Sequence, residues 1–209
     1  MKKFIMTSPY QPKADLEKKI RGLEKGKYIA ADNQLLAYDT PTCFPIITAI
    51  NGYVDEGEEI ELITIVSDYE NAEYNYGLLK EEIESLSKKK GFKYTLKEVR
   101  VPYNNEIDTE LGLFEKLIDC TADDDTLYAC ITYGSKPFPL IQIMALNYAY
   151  RIRKNVSIGC IVYGAKDHNE SGKMKVYDIT SLLYIDEAVR LMAEQKIENP
   201  TELIKNLLK

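Results

Sequence analysis

The chain has 209 residues, 45% of them hydrophobic and 29% charged, and a net charge of −6. That length supports a full hydrophobic core, and the acidic balance argues against a surface built to grip duplex DNA. No apolar run reaches the length of a membrane span, and Met1-Lys-Lys-Phe-Ile-Met is too short for a signal peptide.

Lys2–Met6 reads as a first strand, ending in the polar loop Thr7-Ser8-Pro9-Tyr10. Residues 11–26 are charged and helix-compatible. Residues 28–31 and 34–38 flank Asp32-Asn33, a pattern that predicts a β-hairpin inserted after the first strand. Thr40-Pro-Thr-Cys-Phe-Pro leads into a helix over Ile46–Val54, and Ile60–Ser67 is a buried strand. An amphipathic helix is predicted over Ala72–Lys90, stopped by Gly91. Lys93–Val101 alternates as an edge strand does, and Asn105–Asp119 is a second amphipathic helix.

Thr126–Thr132 is predicted as a central strand, followed by a long helix over Pro137–Lys154 and a strand over Ser157–Tyr163. The single histidine, His168, falls in a polar turn running through Asn169–Gly172, which reads as a solvated loop. With one histidine, two-histidine metal sites are excluded. Lys173–Ile179 is a further strand, Thr180 and Ser181 cap a helix over Leu182–Ala193, and Pro200 opens a last short helix. Strands alternating with helices predict an α/β chain, a Rossmann-like, doubly wound and mostly parallel sheet. Residues 1–209 read as one domain, with 181–209 a helical extension and no separate effector domain.

Cys43, Cys120, Cys130 and Cys160 form no Cys-x-x-Cys pair, and two of them lie in predicted strands. They read as free thiols in a reducing, cytoplasmic setting. The acidic run Asp123-Asp-Asp125 precedes a strand and reads as a solvated turn rather than a metal site.

The most informative stretch is Thr132-Tyr-Gly-Ser-Lys-Pro-Phe-Pro, between the central strand and the apolar helix after it. In an open α/β sheet, ligands sit at such strand ends. The loop offers backbone N–H groups, hydroxyls and one cation, which suits phosphate. It has neither the Gly-x4-Gly-Lys-[Ser/Thr] nor the Gly-x-Gly-x-x-Gly spacing. The loop after the first strand should reach the same edge. The candidate ligand-binding residues are therefore Thr7, Ser8, Tyr10, Thr132, Tyr133, Gly134, Ser135 and Lys136. Hydroxyls and the lysine suit phosphate, and tyrosine faces suit bases.

This loop and the helix after it resemble the Thr-His-Gly-Phe-Arg-x-x-Pro segment of the CRISPR-associated Rossmann-fold (CARF) family. Tyr28–Tyr38 followed by Thr40-Pro-Thr-Cys-Phe is similar to that family's hairpin and Thr-x-Phe entry. Tyr177-Asp-Ile-Thr-Ser-Leu-Leu-Tyr resembles its Asp-[Leu/Ile]-Thr segment. The resemblance runs from residue 1 to about residue 195, with three motifs in order. It implies a homodimer that binds a cyclic oligoadenylate, without metal or other cofactor. Some members cut that ring by attack of a ribose 2′-hydroxyl on the neighbouring phosphate. Carried over by position, the catalytic candidates are Ser8, to orient the ribose–phosphate unit, and Lys136, to offset phosphate charge. The chain departs from the pattern in having Tyr133 for the family's histidine, Ser135 for its phenylalanine, Lys136 for its arginine and Cys130 for its frequent acid. Cleavage of the ring and binding without cleavage both remain open. So does an unrelated α/β nucleotide-binding domain.

Overall fold

The computed structural model describes residues 1–207 apart from 16, 21, 105 and 168–172. His168 and the Asn169–Gly172 turn lie outside the described residues. In chain order the elements are β1 (Lys2–Thr7), β2 (Tyr28–Ala30), α1 (Pro45–Tyr53), β3 (Glu59–Ser67), α2 (Glu70–Lys90), β4 (Lys93–Val101) and α3 (Ile107–Ile118). They continue with β5 (Thr126–Cys130), α4 (Pro137–Ile152), β6 (Ser157–Lys166), β7 (Met174–Asp178), α5 (Thr180–Glu194) and α6 (Pro200–Leu207).

The strands form one sheet in the order β2-β7-β6-β5-β1-β3-β4. From β6 to β4 every pairing is parallel, while β7 runs antiparallel to β6 and β2 runs parallel to β7. This is the expected α/β, Rossmann-like sheet. The alternation of side chains along β1 shows why both of its faces are covered. Phe4 and Met6 enter a cluster built with Ile46, Ile50, Leu79 and Ile83 of α1 and α2. Ile5 enters the opposite cluster with Leu113, Leu117, Leu146 and Leu183 of α3, α4 and α5. Period-two alternation sends successive residues to opposite faces. Phe4 stacks on Tyr128, its registered partner on β5, with ring centroids 4.4 Å apart. Such a pair contributes about 0.5–1.5 kcal/mol beyond its burial.

Two local expectations are corrected. The hairpin over 28–38 is absent. Tyr28–Ala30 pairs instead with the distant β7, and Gln34–Leu36 is a 3-10 turn capped by the Asn33 side chain, which accepts from the Leu35 amide at 3.0 Å. Capping and burial of Leu36 outweigh the local alternation. Thr180 does not cap α5 from outside; it is the first helical residue. Asp178 accepts from its amide at 3.0 Å, and its hydroxyl accepts from the Ile161 amide at 2.8 Å, tying α5 to β6. Gly91 ends α2 in the left-handed conformation, as its position in the sequence indicates. Among the described residues, no helix is long and apolar enough to cross a membrane.

Candidate functional site

Strand order reverses between β1 and β5. From β1 the chain continues to β3 on one side, and from β5 it continues to β6 on the other. Met6 is registered with Cys130, so Thr7–Ser8 and Ile131–Lys136 leave the same edge side by side. A crevice at this point is the general ligand position of an open α/β sheet.

The two loops are tied together by buried polar groups. Thr7 is fully buried, and its Oγ1 accepts from Gln142 Nε2 of α4 at 2.9 Å. Ser8 is also fully buried. Its amide donates to the Ile65 carbonyl at 2.9 Å and its hydroxyl to the Ala72 carbonyl of α2 at 2.7 Å. The hydroxyl expected to orient a ribose–phosphate unit is therefore committed to α2. Ser8 can act on a ligand only through the loop it holds. Thr132 Oγ1 accepts from the Gly164 amide at 2.8 Å, which anchors the β5 loop to β6.

Tyr133 lies deep, its hydroxyl donating to the Cys43 carbonyl at 2.7 Å. Burial pushes that hydroxyl far above the ordinary tyrosine range, and the neighbouring Tyr28 reinforces the shift. Burial also pushes Tyr28 up to about 12. Both phenols stay protonated and serve as fixed hydrogen-bonding posts. Tyr10 shares a hydrogen bond of 2.6 Å with Ser67 Oγ at the end of β3. Burial raises Tyr10 as well, opposed by its bond to Ser67.

The backbone between Tyr133 and Lys136 is more open. Gly134 holds φ +108°, and its amide, like those of Tyr133 and Lys136, has no backbone acceptor among the described residues. Ser135 Oγ is buried without a hydrogen-bond partner. Lys136 is exposed and occupies the N-cap position of α4. Its ammonium makes no hydrogen bond or ion pair among the described residues.

The start of α4 itself is a poor anion site. Pro137 and Pro139 have no N–H, and the Phe138 amide donates to the Ser135 carbonyl at 3.0 Å. The first three helical residues thus present no free donor. Attraction for an anion at this edge rests on the loop amides and on Lys136.

The structure separates the expected residues into two cavities flanking the β5–α4 loop. One, of about 360 Å³, includes Tyr28, Thr132, Tyr133 and Lys166 in its lining, with Lys166 paired to Glu24 at 2.7 Å. The other, of about 340 Å³, is lined by Tyr10, Pro102, Tyr103, Asn104 and Ser135. Thr7 and Ser8 form the buried ridge beneath, and Lys136 stands outside both linings. Tyr103 and Asn104 were not among the candidates. The signal available for them was topological, since β4 is parallel and the loop after it must reach the same edge.

No protein-family model matches the chain. Over 105 residues it is 33% identical to the CRISPR-associated protein MJ1674 of Methanocaldococcus jannaschii. Half of this chain is similar to a CRISPR-associated protein. The match takes in 50% of this chain but only 16% of the length of that relative.

Proposed function

We propose that the chain has a CRISPR-related role as a receptor for a cyclic oligoadenylate, bound at the edge where β1 and β5 end. The observation that carries this reading is the unpaired Lys136 beside the open amides of Tyr133, Gly134 and Lys136. One cation and several N–H donors within a single loop fit a phosphodiester. The similarity to a CRISPR-associated protein supports the choice among phosphate ligands. Two copies related by a two-fold axis would present two such loops to one ring of phosphates, and paired charge favours a ring over a mononucleotide. The apolar residues exposed on α4, Leu140 and Met144, support such a pairing.

Ring cleavage follows from the same arrangement. A ribose 2′-hydroxyl attacks the adjacent phosphorus, its proton passing to solvent. The P–O5′ bond breaks, the leaving 5′-oxygen gains a proton, and a 2′,3′-cyclic phosphate remains. The protein aligns the attack and offsets the developing charge with Lys136. Ser8 is a positioning residue here, since it holds the β1 loop to α2. Its committed hydroxyl favours a second reading, a binder that holds the ring uncut.

Incubating the protein with labelled cyclic tetra- and hexa-adenylate in EDTA, read by mass, separates the two. Slow formation of linear products ending in 2′,3′-cyclic phosphate is expected. An uncut, retained ring leaves the binder, and a ring neither cut nor retained removes both readings. Lys136→Ala should weaken binding more than about tenfold, or about 1.4 kcal/mol. Equal affinity for AMP in calorimetry would show that no ring-specific site exists.

A further inference from the structure

The loop after β4 carries a feature that phosphate binding does not use. Tyr69 and Tyr103 stack with centroids 4.4 Å apart and planes 12° from parallel. Tyr10 meets both in T-shaped contacts, at 6.0 Å and 5.4 Å. Two of these rings are anchored through their hydroxyls. Tyr10 bonds Ser67 Oγ at 2.6 Å, and the Tyr69 hydroxyl accepts from Asn71 Nδ2 at 3.0 Å. Tyr103 is different. It rests on the other two rings yet remains 55% exposed. An aromatic ring fixed from one side and left in solvent elsewhere is a preorganised stacking surface.

A second observation points to the same place. Tyr103 lines the 340 Å³ cavity together with Ser135, whose buried Oγ has no hydrogen-bond partner. Thr64 and Tyr76 also carry buried hydroxyls without partners, but of these three only Ser135 lines the cavity, where a bound ligand atom would satisfy it. Asn104, in the same lining, uses its Oδ1 to accept from the Glu106 amide at 3.1 Å, which leaves its Nδ2 as a donor.

We propose that this cavity takes a nucleobase, stacked on Tyr103 with its edge against Ser135 Oγ and Asn104 Nδ2. The inference rests on the ligand reading above and assigns the adenine of that ligand to this pocket. An adenine edge presents one acceptor, N7, and one donor, N6. Asn104 Nδ2 donates to the first, and Ser135 Oγ accepts from the second. Ser135 directly precedes Lys136 in sequence, so base pocket and phosphate cation are neighbours, as they must be for one nucleotide unit. The pocket therefore adds base recognition, stacking from Tyr103 and edge selectivity from Asn104 and Ser135, to a loop whose other groups recognise charge alone.

The chain contains no tryptophan, so Tyr103→Trp installs a single tryptophan, excited selectively at long wavelength, on the stacking surface. Calorimetry of the wild type with cyclic tetra- and hexa-adenylate is run beside fluorescence titration of Tyr103→Trp with the same rings. Expected are binding by the wild type, quenching of the tryptophan, loss of about tenfold or more in affinity for Tyr103→Ala, and near-wild-type affinity for Tyr103→Phe. Ring binding with an unquenched tryptophan and unchanged affinity in Tyr103→Ala overturns the base assignment and leaves the phosphate site standing. Failure of both rings to bind the wild type overturns the ligand reading, and the base assignment with it. Tyr103 is exposed and outside both core clusters, so these variants keep the fold.

Discussion

Gly134 leaves just enough room for the Thr7 side chain between the β5 and β1 loops. A Cβ on Gly134 would stand 3.0 Å from Thr7 Cγ2 and 3.2 Å from Phe138 Cβ. Gly134 also holds φ +108°, which side-chain-bearing residues rarely adopt. Gly134→Ala therefore strains the backbone and wedges the two loops apart. Thermal melts should show a loss of about 1–3 kcal/mol, with weaker ring binding in calorimetry. An unchanged melt would mean that the loops are not braced against each other.

The Thr7–Gln142 bond gives a test of the ridge below the site. Thr7→Val removes the acceptor of a buried amide at a cost of about 1–3 kcal/mol. Gln142 Oε1 already lacks a partner. The double variant Thr7→Val/Gln142→Leu removes the whole buried polar pair. It should be more stable than Thr7→Val alone in urea denaturation, and a simple sum of two losses would refute this account.

Acid should loosen α5 from α4. Glu187 accepts from Arg151 Nε at 2.7 Å and pairs with Arg190. Hydrogen bonds from Arg190, opposed by burial and reinforced by Arg151, hold its carboxyl down to about 2 from an ordinary 4.5. A depressed carboxylate contributes stability above its unfolded value and loses it as pH falls through the folded one. The contribution should thus fade between pH 4.5 and about 2. Melting curves of Glu187→Gln should show a shallower acid slope than the wild type across that window.

Assembly can be tested on α4. Leu140 and Met144 are 62% and 49% exposed and, with Leu182, border an apolar groove of about 490 Å³ between α4 and α5. Light scattering of the wild type should give twice the 23.9 kDa chain mass. Met144→Glu should return it to the monomer with the fold retained by circular dichroism. A wild-type monomer at tens of micromolar with the ring present would reject the two-fold model.

The sheet was readable in the sequence because short strand-like segments, the β-branched run of Ile60–Ser67 above all, alternate with amphipathic helices. Lys93–Val101 emerges with the same bounds, and β1 and β5 are neighbours where strand order reverses, as is common in open α/β sheets. The pairing of β2 with β7 was not readable. It joins segments far apart in the chain, while the local pattern at 28–38 imitates a hairpin. At the site, Thr7 and Ser8 look like ligand groups because polar residues end an apolar strand. The same polarity serves burial once Gln142 and Ala72 supply partners. Tyr103 was hidden for the opposite reason. It is one of 16 tyrosines, and only the folded chain shows that it is the most exposed ring of its stack.

Pro137 and Pro139 change how this edge can evolve. Where helix amides hold a ligand's charge, recognition is written into the main chain and survives most substitutions. Here the first turn of α4 has no free N–H to offer, so main-chain donors come only from the loop before it, and the formal charge rests on one side chain. A single codon change at Lys136 can neutralise or invert it while the scaffold stays intact. Ligand preference at this edge can therefore drift quickly between descendants that share one fold.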